Sequence, residues 1–177
     1  MEEKKIVYDC LRGCSTERTP QGELICDYDT SRCKLSVFNW RDGISQKDVK
    51  DLYEVRFKNT RKMYYRNTSG QLIKEGDIVV VEATTGHDVG IVTLQGPMVA
   101  LQMNRHNLDY KTYEFRKVYR KAKALDIERW QEAISREHKT MTRSRQIAAS
   151  MGLNMKIGDV EFQGDGTKAI FYYIADE

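Results

Sequence analysis

The fold prediction starts from the stretch GDIVVVEATTGHDVGIVTL, residues 76–94. Its β-branched run, Ile78–Glu82, is apolar on both faces and is bounded by turn formers, which predicts a central strand. Residues 89–94 predict the strand that follows the next turn. On the amino-terminal side, residues 52–57 and 62–66 predict two more strands. Four short strands separated by Gly or Asn turns predict a small antiparallel β-barrel over residues 51–109.

The pattern changes after Tyr110. Residues 115–120 predict one further strand, and apolar residues at helical spacing predict a helix from Asp126, as N-cap, to Met151, with a fray or kink in its polar middle. Residues 155–162 and 168–174 predict two strands joined by the turn Gly-Asp-Gly, 164–166. Residues 110–177 are therefore predicted to form a strand–helix–hairpin layer, and the fold class is α+β.

Composition limits where the protein acts. The chain has 177 residues, a formal net charge of +3 and 40% hydrophobic residues. No apolar run approaches the roughly 18 residues that a membrane-spanning helix needs, and the first five residues are charged and lead into no secretory signal. We expect a cytoplasmic protein without membrane insertion.

Residues 1–50 are expected to form an irregular segment and linker that contains all four cysteines. Four thiolates are the right number for one zinc ion or one iron–sulfur cluster, although the C-x3-C and C-x6-C spacings differ from those of ordinary zinc knuckles. Spare thiols and redox pairing are the alternatives, and the sequence leaves them open. The candidate ligands are Cys10, Cys14, Cys26 and Cys33.

Five stretches in order carry a resemblance to a known family. They are residues 55–65, 76–82, 86–92, 152–161 and 168–176. Together they resemble the bacterial polymerase-suppressor-protein C-terminal domain family, the YaaT/RicT-like cell-fate regulators, over residues 52–177. Family members usually continue with a helix and a cysteine-rich stretch that this chain lacks, so residues 110–177 are expected to be a truncated family domain.

The resemblance implies a role as a regulatory and adaptor subunit. Members of the family act in a cytoplasmic complex that binds iron–sulfur clusters and associates with an endoribonuclease, which affects RNA processing. Protein partners are therefore implied for this chain. The resemblance does not carry cluster ligation over to the amino-terminal cysteines, because the family's ligands lie downstream.

A basic region between residues 111 and 145 is the second candidate site. Tyrosines lie among its positive charges, and such a mixture can stack on single-stranded bases. The alternative is a solvated helix face with internal ion pairs. The candidate residues for an RNA or acidic-partner surface are Lys111, Arg116, Lys117, Arg120, Lys121, Lys123, Arg143 and Arg145.

No catalytic residue is predicted. His87 and Asp88 are adjacent, but neighbouring strand residues point to opposite faces, so Asp88 is expected to cap a turn with His87 at its edge. The primary hypothesis is a non-catalytic regulatory subunit, with zinc or an iron–sulfur cluster as its candidate cofactor. A direct RNA-binding module is the alternative, and a metal-dependent enzyme that uses the four cysteines ranks last.

Overall fold

The computed structural model describes residues 49–175 together with two short strands nearer the amino terminus, Ile6–Asp9 (β1) and Ser15–Arg18 (β2). These two strands pair in antiparallel register, Ile6 opposite Arg18. The expectation that the amino-terminal segment is irregular throughout is therefore wrong for this hairpin. The four candidate cysteines lie outside the described residues.

Five strands form a sheet that closes on itself. Each strand pairs with two neighbours in the cyclic order β3-β4-β7-β5-β6. Their bounds are Leu52–Arg56 (β3), Lys62–Asn67 (β4), Ile78–Glu82 (β5), His87–Gln95 (β6) and Arg116–Lys121 (β7). All four strands predicted within residues 51–109 are present.

One pairing in the closed sheet is parallel. β4 and β7 run in the same direction, with Arg66 opposite Lys117, whereas the other four pairs are antiparallel. The expectation of a purely antiparallel sheet of four strands is therefore wrong. The chain leaves the sheet after β6 and returns through a helical crossover, after which β7 enters between β4 and β5.

The apolar run of β5 is buried on both faces, as the sequence predicted. Val79 and Val81 point into the closed sheet, where they pack with Val55 and Val118. Ile78 and Val80 point outward and pack in a second core under a long helix. β5 therefore contributes side chains to both cores, as does β6.

The crossover contains a helix, Pro97–Arg105 (α1), that sequence analysis did not predict. Proline begins it, a position where the missing N–H costs nothing. Val99, Ala100 and Met103 bury one face of α1 against Leu52 on the outside of the closed sheet. The Gly-Pro pair at residues 96–97 thus follows a strand and starts a helix.

A long helix, Ala124–Ser150 (α2), connects the two halves of the fold. Ile127 and Trp130 in its first half pack on the outer face of β5 and β6. The helix is continuous, so the expected fray in its middle is absent. It begins two residues before the predicted N-cap, and the Asp126 carboxylate instead accepts a hydrogen bond from the Lys123 backbone N–H at 2.7 Å.

A hairpin of Met155–Phe162 (β8) and Ala169–Ala175 (β9) ends the described chain, as predicted. Ile157 and Val160 of β8 pack against Ala148 in the second half of α2. In the part of the chain that the structure describes, no helix is long and apolar enough to cross a membrane.

Candidate interaction site

The loop between β3 and β4 presents two cations toward the hairpin. The Phe57 N–H donates to the Arg61 carbonyl at 2.9 Å, and Asn59 at the tip adopts a positive φ of 55°. Asparagine tolerates this left-handed conformation better than most residues. The tight loop therefore holds Lys58 and Arg61 on the side that meets β8.

Arg61 binds two buried carboxylates. Its Nε and Nη2 donate to Glu161 at 3.0 and 2.7 Å, and Nη2 also donates to Asp88 at 2.8 Å. The guanidinium lies 3.8 Å from the centre of the Phe57 ring. A contact through two N–H groups of one guanidinium fixes the orientation of both side chains and also compensates their charges. Arg61 thereby ties β6 and β8 to the β3–β4 loop.

Lys58 binds α2 and β8 at once. Its Nζ donates to Glu137 at 2.8 Å, to Asp159 at 2.6 Å and to the Val160 carbonyl at 2.6 Å. The Asn59 amide adds a bond to Asp159 at 3.0 Å. We call the six charged residues of this network the clasp: Lys58, Arg61, Asp88, Glu137, Asp159 and Glu161.

Hydrogen bonds within the clasp lower the pKa of two of its carboxylates despite burial. Burial alone raises the pKa of Glu161, but hydrogen bonds from Arg61 and Tyr172 outweigh it, so that the pKa lies below its usual value. Burial alone would also raise the pKa of Asp159, but hydrogen bonds from Lys58 and Asn59 lower it below its usual value. Burial and the hydrogen bond to Glu161 raise the pKa of Tyr172.

The carboxylates outnumber the cations, and backbone N–H groups complete their hydrogen bonding. Asp88 accepts from the N–H groups of Val89 and Gly164, both at 2.8 Å, and Glu137 accepts from that of Phe162 at 3.0 Å. The clasp is thus a satisfied network that joins the closed sheet, α2 and the hairpin. Its ionic groups are engaged with one another and with the backbone.

The turn between β8 and β9 makes a second contact with the closed sheet. The Gln163 amide donates to the carbonyls of Thr85 and His87 at 2.7 and 3.1 Å, and the His87 N–H donates to Asp165 at 3.1 Å. Asp88 is buried, and its carboxylate both pairs with Arg61 and accepts a hydrogen bond from the Gly164 N–H of this turn, so it combines an ion pair with the capping of a backbone group.

An open groove lies at the other end of the hairpin. It has a volume of about 750 Å³ and is lined by Arg145, Ala148 and Ala149 of α2, Leu153, Met155–Gly158 of β8 and Tyr172–Ile174 of β9. Arg145 borders it and donates from Nε to the Ile157 carbonyl at 2.8 Å. We call this surface the groove.

The predicted basic residues do not form one patch. Residues 111–123 lie around β7 and the start of α2, whereas Arg143 and Arg145 lie near the end of α2, about 28 Å along the helix at ~1.5 Å per residue. Arg120 pairs with Asp126, and Lys121 lies 2.9 Å from Asp77.

Five of the predicted cations keep accessible side chains or use only weak polar contacts. Lys111, Lys117 and Lys123 are exposed, and Arg116 reaches only the Thr84 hydroxyl at 3.1 Å. Arg143 contacts Gln146 on its own helix at 3.4 Å. The structure thus separates a β7 group from a pair at the end of α2, and an RNA or acidic-partner role for either stays a prediction.

A metal site is not formed within residues 49–175 and the two amino-terminal strands: no group of three or more His, Cys, Asp and Glu side chains there could hold a metal ion. Metal binding by the four cysteines outside this region stays a prediction.

Sequence reasoning missed the acidic half of the clasp. Glu137 lies in the polar middle of the predicted helix and Glu161 in a predicted strand, and neither pattern indicates a site. A signal was available, since Lys58 and Arg61 lie in one of the five stretches that resemble the family, while Asp88, Asp159 and Glu161 lie in others. Charges of opposite sign in separate motifs indicate a contact between those motifs.

Two comparisons identify the class of protein. Residues 116–177, which contain β7, α2 and the hairpin, match the PSP1 C-terminal conserved region. The chain belongs to the PSP1 family and is YaaT-like, which confirms the resemblance drawn from its motifs.

The curated relative is Stage 0 sporulation protein YaaT of Bacillus subtilis (strain 168). It is 34% identical over 126 residues, which is 69% of this chain and 42% of the relative. The chain therefore spans less than half of that protein. The similarity extends beyond the family region into the closed sheet. No solved structure matches the chain.

Proposed function

We propose that this chain is a non-catalytic regulatory subunit that acts in the bacterial cytoplasm by binding other proteins. The clasp is the observation that carries this proposal. It brings together the most concentrated set of acids and bases among residues 49–175, and these groups pair with one another in place of facing an open site. A general acid or base needs access to a substrate proton. The clasp therefore suits a scaffold that presents surfaces.

The process we propose is RNA processing in control of cell fate, within a complex that includes an endoribonuclease. The family resemblance supports RNA processing and the endoribonuclease partner, and the name of the sporulation relative supports a role in cell fate. The chain would contribute an adaptor surface, and the clasp would hold the hairpin in a fixed position relative to the closed sheet.

A chimera tests the proposal. In Bacillus subtilis, the matched 126 residues of YaaT are replaced by those of this chain, and heat-resistant spores are counted against strains with intact and deleted yaaT. We expect the chimera to restore spore formation and the wild-type pattern of mRNA 5′ ends. Stable chimeric protein in cells that still behave like the deletion strain would contradict the proposal.

Direct RNA binding is the second candidate function, and the outer face of β7 favours it. Lys117 and Tyr119 are both exposed there, and Arg66 of β4 lies opposite Lys117. Cations beside an exposed aromatic ring can hold a single strand by phosphate contact and base stacking. Arg66 also forms an ion pair with Asp51 at 2.9 Å, which reduces the positive charge that this surface offers to a phosphate.

A salt titration separates the two functions. Binding of a fluorescent single-stranded RNA should weaken log-linearly with salt, because each neutralised phosphate releases a counterion. Lys117→Ala should reduce the slope of log affinity against log salt concentration by about one, the value for one phosphate contact. Lys168→Ala, a control on the hairpin, should leave this slope unchanged. A chain that restores sporulation without measurable RNA affinity at low salt acts only as an adaptor.

A further inference from the structure

The second half of α2 carries a row of cations on one side. Arg136, Lys139 and Arg143 follow one another at spacings of three and four residues, and all three are exposed. Lys139 is nine residues from both Trp130 and Ala148, which are buried against the closed sheet and the hairpin. At about 100° per residue, Lys139 lies on the opposite side of the helix. We call the three cations the ridge.

The ridge repels itself. The positions three and four residues from Lys139 and Arg143 hold Ser, Thr, Gln, Ile or another cation, and no Asp or Glu. Like charges at this spacing destabilise a helix. A solvated face with internal ion pairs therefore does not describe these two residues, although Glu132 is spaced to pair with Arg136. An anion bound along the ridge would relieve the repulsion.

The acids of this part of the chain are used elsewhere. Between residues 138 and 158 there is no Asp or Glu. Glu137 follows Arg136 in sequence but lies on the buried side of α2, where it binds Lys58. Asp159 and Glu161 of β8 also bind cations of the clasp. The clasp thus engages these carboxylates and leaves positive charge in excess along the outer side of α2.

The side chains beside the ridge indicate which kind of anion fits. Ser135, Thr142 and Gln146 are exposed on the same side of the helix, and all three are polar. The core of a protein interface is apolar or aromatic, and a helix that lies on a membrane needs an apolar face. Arg, Lys, Ser, Thr and Gln are the residues that contact nucleic-acid phosphates. A phosphate backbone therefore fits this surface better than an acidic protein or a lipid does.

We propose that the ridge binds the phosphate backbone of RNA. Arg136 and Arg143 are about 10 Å apart along the helix axis, with Lys139 between them, so neighbouring phosphates of one strand can each meet a cation. Such contacts hold the backbone and do not read bases, so binding is independent of sequence. This inference deepens the proposed function and rests on it only in that RNA is the substrate of the complex. It does not depend on the outer face of β7.

The test compares two double variants of the full chain. Lys139→Gln with Arg143→Gln removes two charges from the ridge, and Lys74→Gln with Arg105→Gln removes two exposed charges beside the closed sheet, so both variants have the same net charge. Fluorescence anisotropy measures binding of a fluorescein-labelled single-stranded RNA across a salt series. We expect the ridge variant to reduce the slope of log affinity against log salt concentration by about 1.5–2, the value for two phosphate contacts. The control variant should leave this slope unchanged.

Two further measurements locate the contact and check the fold. RNA should shift the backbone amides of residues 135–146, and RNAs of unrelated sequence should bind with the same affinity. Circular dichroism should show that both variants fold. The ridge variant should melt no lower than the wild type, because it removes a like-charge repulsion from the helix.

Several results would overturn the inference. An unchanged slope in the ridge variant would exclude the ridge as the contact, and shifts confined to β7 would move the contact there. Poly-glutamate that binds more tightly than RNA, and only when the ridge is intact, would assign the ridge to an acidic protein. A ridge variant that keeps its RNA affinity but no longer binds anionic phosphatidylglycerol vesicles would assign it to a membrane.

The two proposals fail separately. RNA binding is measured without cells, so a chimera that does not restore sporulation leaves that result intact and contradicts only the regulatory role. Conversely, a chimera that restores sporulation contradicts nothing in that role when the RNA slope is the same with and without the ridge charges. That combination contradicts the ridge alone.

Discussion

Arg61→Met removes the cation that holds two buried carboxylates while retaining an apolar stem over Phe57. The Arg61 side chain is 21% exposed, whereas those of Asp88 and Glu161 are 7% and 1% exposed. Removing one partner of a buried pair typically costs about 3–5 kcal/mol because the other charge stays buried. Glu161 retains hydrogen bonds from Tyr172 and the Lys58 N–H, so we expect the lower end, about 3 kcal/mol.

Urea unfolding followed by circular dichroism measures this loss at pH 7. For a chain of this size, about 3 kcal/mol corresponds to a melting temperature lower by about 6–12 °C. The matched control is Arg66→Met, because Arg66 pairs with Asp51 where both side chains are nearly half exposed. Exposed pairs are worth less than about 1 kcal/mol. If the two variants lose equal stability, the clasp is not a structural element.

The pH dependence gives an independent check. Folding lowers the pKa of Glu161 below its unfolded value of about 4.3. Its charged form therefore stabilises the fold above that pH, and this contribution disappears as the pH falls through the folded value. Without Arg61, burial raises the pKa instead. The stability difference between wild type and Arg61→Met should be full at pH 7 and shrink as the pH falls below about 5.

Three further predictions concern other parts of the chain. Gly164→Ala should destabilise by about 1–3 kcal/mol, because its Cβ would lie 2.5 Å from a backbone nitrogen of β6; Gly158→Ala, whose Cβ would lie 3.5 Å from the Tyr172 carbonyl oxygen, is the control in the same urea assay. Asp126→Ala should lower stability by about 1 kcal/mol at pH 7 through loss of the helix-start hydrogen bond, and less below about pH 4, because the hydrogen bond from Arg120 lowers the pKa of Asp126. Anaerobic purification with metal analysis and an ultraviolet–visible spectrum should show zinc or an iron–sulfur cluster that is lost when serine replaces Cys10, Cys14, Cys26 and Cys33; a metal-free, colourless wild-type preparation would refute a ligand role.

Local patterns predicted most of the secondary structure. The both-faced apolar run of Ile78–Glu82 is a buried strand, and the helical stripe after Asp126 is α2. The Gly-Asp-Gly turn at 164–166 joins the hairpin strands. Each of these signals depends on residues within one or two turns of each other, so periodicity alone was sufficient to find it.

The candidate sites were less predictable because they depend on residues far apart in sequence. Positive charge alone suggested a surface at residues 111–145, yet Arg120 and Lys121 pair internally with Asp126 and Asp77. The groove is created by α2 covering only one strand of the hairpin. The sequence of β9 does not indicate which of its apolar side chains α2 leaves exposed.

The sequence by itself determined the strands of the closed sheet, the long helix, the hairpin and the family. The tertiary structure alone decided that β7 lies parallel to β4 and that Lys58 meets Glu161 103 residues away. Apolar periodicity relates residues that are close in sequence, so it can be recognised from the sequence alone. Strand pairing and ion pairing depend on distances of about 3–5 Å in space, which exist only once the cores of the closed sheet and α2 have formed.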